Sequence, residues 1–190
     1  SDGGKVYLIL GDTTSDTPNM DEIMSDYGLK KVSGYIADTQ RCYQGNYYAI
    51  FPQLSLSGDL GSGISNQMVL LLNSPGMEKT DTDNDNLTVT PFMQTSDSGY
   101  AVTENDQTQG QYILGAVSTN AISADSSDSD SEDEDDKSDA TDTDTKTARL
   151  TVLASASMIS SDITDQLTTL DNLTLFVNSV TENFDNVNNV

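Results

Sequence analysis

Residues 125–145 set the first limit on what this chain can fold into. They are Ser, Asp, Glu and Thr throughout apart from Lys137 and Ala140, with 11 carboxylates and no apolar side chain larger than a methyl to repay the entropy of ordering. A solvated, disordered insertion is predicted there, so any core must be assembled from the apolar segments on either side of it. The 190 residues suffice for one ordinary domain with a real core and leave little for a second. The expected organisation is a single domain over residues 1–190, interrupted by the acidic insertion at 125–145.

Charge and inventory then remove whole classes of function. Against 31 acidic residues stand 8 basic ones, a formal net charge of −23. That field repels a phosphate backbone, so nucleic acid is not an expected partner. Histidine is absent and Cys42 is the only cysteine, which excludes an intrachain disulfide, a His-based triad and a Cys/His zinc cluster. Low cysteine use with an acidic, Ser/Thr/Asn-rich surface suits an exported protein. The longest apolar run, Met68 to Leu72, is far short of the ~18–20 residues a bilayer requires, and no signal-peptide pattern opens the chain. The stretch reads as a soluble fragment of a longer protein, with any membrane anchor outside it.

Periodicity gives the elements. Lys5-Val6-Tyr7-Leu8-Ile9-Leu10 is a continuous apolar run between glycines, the pattern of a central strand buried on both faces. Met20, Ile23, Met24 and Tyr27 follow at i, i+3, i+4 and i+7, with Asn19 as N-cap, Glu22 completing a capping box and Gly28 at the left-handed C-cap. Gly34-Tyr35-Ile36-Ala37-Asp38 resumes a strand, the start of a βαβ-like alternation. Residues 47–51, 67–72, 87–93 and 112–117 are short strand candidates, with no long helix between them. After the insertion, Arg149-Leu150-Thr151-Val152-Leu153-Ala154 reads as another buried strand. A last helix is expected to bury Leu170, Leu173, Val177, Val180 and Phe184.

Candidate chemistry is sparse. Asp81, Asp83 and Asp85 with Asn84 and Asn86 imitate the opening of a calcium loop, but the sixth position is Asn86 and the twelfth Phe92, where an EF-hand needs Gly and Glu. A polar turn is the plainer reading. Gly58, Gly61 and Gly63 follow no strand and carry no Lys-Ser/Thr, so they predict a flexible loop and not a phosphate cradle. Cys42 lacks a histidine base, and Asp38, Asp59 and Glu104 are not paired on one element for acid–base work. Tyr43, Tyr47 and Tyr48 with Asn46 suit either a sugar- or peptide-binding surface or half-buried packing. No catalytic, cofactor-binding or metal-binding residue is assigned.

Taken in series, the ordered segments resemble the extracytoplasmic domain of GldG-like auxiliary components of ABC transporters. Gly3-Gly4 before a strand, Pro18-Asn19-Met20 leading into a helix that closes Asp26-Tyr27-Gly28-Leu29, and the following Gly34-Tyr35-Ile36-Ala37-Asp38 carry the first part of the resemblance. Leu87-Thr88-Val89-Thr90-Pro91-Phe92-Met93-Gln94-Thr95-Ser96 is similar to the family's most specific segment, and Arg149-Leu150-Thr151-Val152 with Asn172 and Asn178 to its last strand and helix. Ala154 and Glu182 depart from it, standing where the family has glycine and tryptophan.

The resemblance implies an α/β fold with a Rossmann-like or glutamine-amidotransferase-like three-layer sheet, here a partial domain with added short strands. It gives no amidotransferase activity, since the required Cys and His are not present. It implies a non-catalytic domain on the extracytoplasmic face of the membrane, anchored by flanking segments, with ABC permease and ATPase subunits on other chains as partners and no cofactor. The competing expectation is a cell-surface adhesion or glycan-binding module that uses calcium; a hydrolase built on carboxylates alone is a third.

Overall fold

The computed structural model describes residues 3–11, 16–122 and 146–184. The acidic insertion lies outside the described residues. The chain runs β1 (Lys5–Ile9), α1 (Pro18–Asp26), β2 (Leu29–Lys31), β3 (Tyr35–Asp38), β4 (Cys42–Tyr43), β5 (Asn46–Ile50), β6 (Gln53–Leu54), β7 (Leu71–Leu72), β8 (Met77–Lys79) and β9 (Leu87–Gln94). It continues through β10 (Gly99–Val102), β11 (Gln107–Gln109), β12 (Ile113–Ile122) and β13 (Lys146–Leu153) to α2 (Ser161–Thr164) and α3 (Asn172–Asn183). Short 3₁₀ turns occupy Gly58–Gly61 and Ala156–Ile159.

These elements make a mixed α/β fold of three sheets and few helices. The largest sheet has seven strands: β1 pairs β13, β13 pairs β12, and β12 pairs β9 along one edge and meets β8, which carries β2, at Ile113; β6 extends β9. Among the described residues only β1 and β13 pair in parallel, in register from Lys5 opposite Arg149 to Ile9 opposite Leu153. Two three-stranded sheets, β11-β10-β3 and β4-β5-β7, pack beside it. The core of the main sheet joins Leu29, Ile36, Phe92, Met93, Leu114, Leu150, Val152 and Leu175. β12 and β13 remain paired out to Ile122 opposite Lys146, so the insertion leaves from the open end of an antiparallel hairpin.

Local chemistry explains the irregular points. β9 carries Pro91 without breaking, because Gly115 of β12 pairs Met93 and Ala116 pairs Pro91, which leaves Phe92 as the extra residue of a bulge where the missing N–H does no harm. A Cβ on Gly115 would meet Phe92 Cζ at 2.8 Å and Met93 Cε at 2.7 Å, so a larger residue there would have to displace both buried side chains. β4 and β5 are joined by Gln44 and Gly45, both at positive φ, the two-residue primed turn that matches strand twist.

Several sequence expectations are corrected. β1 is an edge strand among the described residues, not a central one: its outer neighbour is missing and Val6 is 44 % exposed. The βαβ start does not give adjacent parallel strands, since β2 joins β8 and β3 joins β10. Thr17, not Asn19, precedes the first helix, whose first turn is set by Pro18 at N1 with no side-chain cap; Gly28 does take the left-handed conformation at φ 71°. Of residues 67–72 only Leu71–Leu72 pair as strand. The last helix turns most of its expected apolar stripe outward, although Leu170, just before it, packs on the cluster of Ala49, Leu70 and Ile163 and Val180 is half-buried. Leu173, Val177 and Phe184 are 56, 51 and 40 % exposed, while Asn172, Leu175, Ser179 and Asn183 face the sheet. Polar residues won the inner face because the strands beneath offer polar partners.

Candidate functional site

Three polar joints and one open cleft are the features with chemistry. The first joint is Asp38, the last residue of β3, fully buried. Its Oδ1 accepts from the amides of Gln40 (2.9 Å) and Arg41 (2.9 Å) and from Ser96 Oγ (2.8 Å), and its Oδ2 accepts from the Ser96 amide (2.7 Å). Burial pushes this carboxyl upward, and the donors of Arg41, Ser96 and Gln40 together outweigh it and hold the group below its ordinary value. The ionised Asp38 thus ties the β3 exit to the segment after β9. Thr95 completes the joint by accepting the Tyr112 amide at 2.9 Å.

The second joint is at the start of α3. Asp171 caps nothing in its own helix; its carboxylate reaches the loop before β7 and accepts from the amides of Ser65 (3.1 Å), Asn66 (2.9 Å) and Met68 (3.3 Å). Burial again raises this carboxyl, and the amides of residues 65–68 hold it below its ordinary value. Asn172 binds both backbone groups of Leu70, at 2.9 and 2.8 Å, and also donates to Met158 O. Asn178 donates to Leu60 O and Ser62 O, clamping the turn that contains Gly58 and Gly61.

The third joint lies under α3. Ser179 Oγ donates to Phe176 O, so Tyr7 OH, 2.6 Å away, donates to Ser179. Burial pushes the Tyr7 phenol up to about 12, against the lowering effect of Ser179. Thr151 donates to Asn183 Oδ1 at 2.7 Å and Arg149 pairs with Glu182 at 2.8 Å. Arg149 Nε, Glu182 Oε2 and Asn183 Nδ2 are buried there with no hydrogen-bond partner.

The cleft lies where β1 ends and α1 begins, with a volume near 580 Å³, bordered by Leu10, Gly11, Thr17, Lys31, Ser33 and Pro75 among others. Both signs of charge are present. Lys31 is held by Thr17 Oγ1 (2.6 Å) and Asp21 (2.9 Å), and Lys30 by Glu78 (3.1 Å). The wall therefore carries two ion-paired lysines with Asp16 beside them, around a partly apolar floor, suited to holding a ligand or a protruding side chain.

The residues weighed from sequence do not converge here. Asp59 and Glu104 are exposed, whereas Asp38 is fully buried. Asp81, Asp83 and Asp85 are exposed, and Asn84 and Asn86 form a polar turn in which Asn84 Oδ1 accepts the Asn86 amide. Among the described residues no group of three His, Cys, Asp or Glu side chains stands close enough to hold a metal. Cys42 is a free, half-buried thiol in β4. Tyr47 and Tyr48 are neighbours on β5 and so point to opposite faces, while Tyr43 packs edge-on against Phe51 at 5.9 Å; the tyrosines do not form one surface. No described helix is long and apolar enough to cross a membrane.

Asp171 was not singled out from sequence. An aspartate directly before a helix reads as an N-cap, and only the fold reveals that its acceptors serve a loop about 100 residues earlier.

No protein-family model and no curated protein matches the chain. Among solved structures it is similar to the mmIFT52 N-terminal domain, with a TM-score of 0.58 and 12 % identity, over 100 % of this chain and 68 % of that one. At that identity the likeness concerns the fold.

Proposed function

We propose that this chain is a non-catalytic extracytoplasmic domain of a membrane-anchored auxiliary component of an ABC transporter, acting by contact in ligand binding or in regulating the transport complex. The observation that carries the reading is the division of labour among polar residues. Asp38, Ser96, Asn172 and Asn178, which carry the GldG-like resemblance, are consumed as joints of the fold, and the cleft at the carboxyl end of β1 is left open. The carboxyl ends of strands beside a helix start are where α/β sheets bind ligands. The parallel β1–β13 pair with α3 on one face is, on this reading, part of a Rossmann-like or glutamine-amidotransferase-like sheet. The ATPase and permease are other chains, and segments flanking this one hold it at the outer membrane face.

The test is to fill the cleft. Ser33 is exposed on its rim and makes no core contact, so Ser33→Trp obstructs the opening without touching a joint. Loss of transport by the assembled complex, with an unchanged melting temperature of the domain, supports the reading. Full transport with the cleft filled contradicts it.

A further inference from the structure

Three buried polar atoms beneath the end of α3 are each one carbon away from an atom already fixed across the seam between α3 and β13. Arg149 reaches Glu182 through Nη2 and Oε1 at 2.8 Å, a one-point contact between two groups built for a two-point one. Thr151 donates to Asn183 Oδ1 at 2.7 Å. The other atoms of these groups, Arg149 Nε, Glu182 Oε2 and Asn183 Nδ2, are shut off from solvent and have no hydrogen-bond partner among the described residues. Arg149 and Thr151 share one face of β13, and Glu182 and Asn183 are neighbours in the last turn of α3, so the three atoms lie within one strand repeat and one helical step.

A buried donor or acceptor without a partner has given up its hydration for nothing, and native structures hold few of them. Three at one joint point to a common partner, and the chemistry of the set decides what it is. Arg149 Nε and Asn183 Nδ2 offer hydrogens and Glu182 Oε2 offers lone pairs, so the partner accepts twice and donates once. An anion would be repelled by the carboxylate. A cation would suit the carboxylate alone and meet two N–H groups with no lone pair to give. Direct closure of the Arg149–Glu182 fork would satisfy two atoms and leave Nδ2 of Asn183, a fully buried residue, with nothing. Water answers all three. Two of its bonds, about 2.8 Å each at the tetrahedral angle, bridge groups about 4.5–5 Å apart, and roughly three bonds is the usual number for a buried water.

We propose that one buried water is bound here, accepting from Arg149 Nε and Asn183 Nδ2 and donating to Glu182 Oε2, as a fixed part of the joint between α3 and the sheet. It completes the inner polar face of the helix. Ser179 is already matched by Tyr7 and Phe176, and Asn172 by Leu70 and Met158. The water meets the groups on that face that remain. Glu182 is the only charged side chain of α3, and with the water in place both of its oxygens have donors.

Proton NMR of the isotope-labelled 190-residue chain tests this at Arg149 Hε and the Asn183 side-chain amide. A water held for longer than the protein takes to tumble gives a negative nuclear Overhauser cross-peak, and the rotating-frame spectrum separates it from proton exchange. The expected result is such a cross-peak from water to both groups. Arg149→Met/Glu182→Met removes two of the three partners and fills the joint with apolar side chains of similar length. There the cross-peak to the Asn183 amide should vanish while circular dichroism is unchanged. A wild-type spectrum lacking the water cross-peak at either group, or showing contacts to protein protons in its place, overturns the proposal whether or not the double variant folds. A cross-peak at Asn183 that survives the double substitution overturns it as well.

Discussion

Replacing Asp38 with alanine isolates the joint between β3 and the segment after β9. The carboxylate is fully buried and accepts three amides and one hydroxyl. Truncation leaves those donors without an acceptor in a site water does not reach. Each orphaned donor costs on the order of 1 kcal/mol, and a buried charged hub lost as a unit about 3–5 kcal/mol in all. With a urea m-value near 2 kcal/mol/M, Asp38→Ala should lower the unfolding midpoint by roughly 2 M urea. The pH dependence carries a sign. Because the folded carboxyl titrates below its ordinary value, the unfolded chain binds more protons in that window, so the contribution is complete above the ordinary aspartate range. It disappears as pH falls through the lowered value. Wild type should lose stability on acidification toward and below pH ~4 and Asp38→Ala should lose less. A midpoint shift under about 0.5 M urea, worth roughly 1 kcal/mol, would refute the joint. Loss of transport with no loss of stability would point instead to a functional carboxylate.

Other outcomes follow from the same contacts. Asn172→Ala removes three buried hydrogen bonds that hold Leu70 and Met158 and should cost about 2–4 kcal/mol in chemical denaturation. Burial raises the Tyr7 phenol to about 12, so wild type should lose stability as pH rises from ~10 toward 12, the unfolded tyrosine ionising first; Tyr7→Phe should reduce that alkaline loss in pH-dependent melting, leaving the part due to Tyr112, which burial also raises. Gly34→Ala places a Cβ against Val102 O at a φ of +84° and should destabilise by about 3 kcal/mol or more, read from the thermal midpoint. Replacing residues 123–145 by Asn-Gly should close the Ile122–Lys146 end of the β12–β13 hairpin and leave stability within about 1 kcal/mol, while the formal charge falls in magnitude from −23 to −13 as 11 acidic residues and Lys137 leave.

Sequence made some of this legible, and the failures have physical causes. β9, β12 and β13 announce themselves because their side chains meet core on the long central part of the sheet. The first helix is legible to within two residues of its start, and its end is marked by Gly28, which acts locally. β1 reads like a central strand from its apolar run, yet pairing is a tertiary property and its outer neighbour is missing among the described residues. The stripe of α3 has correct helical spacing and the wrong face. Tyr7, Thr151 and Arg149 supply polar partners to Ser179, Asn183 and Glu182 from strands about 30 residues or more away, which periodicity does not see. The strands β8, β10 and β11 are three or four residues long and carry too few alternations to stand out. Of the site, the resemblance marked Asp38, Ser96, Asn172 and Asn178, but only the contacts reveal that they join the fold; the cleft has no local signature at all.

The central claim is that this domain serves an ABC transporter by contact, and the most direct measurement is to tag the full-length protein in its native membrane, solubilise it gently and identify what co-purifies. The account predicts recovery of an ABC ATPase and permease in fixed proportion to it, and a protein recovered alone or bound to wall glycan would contradict the account.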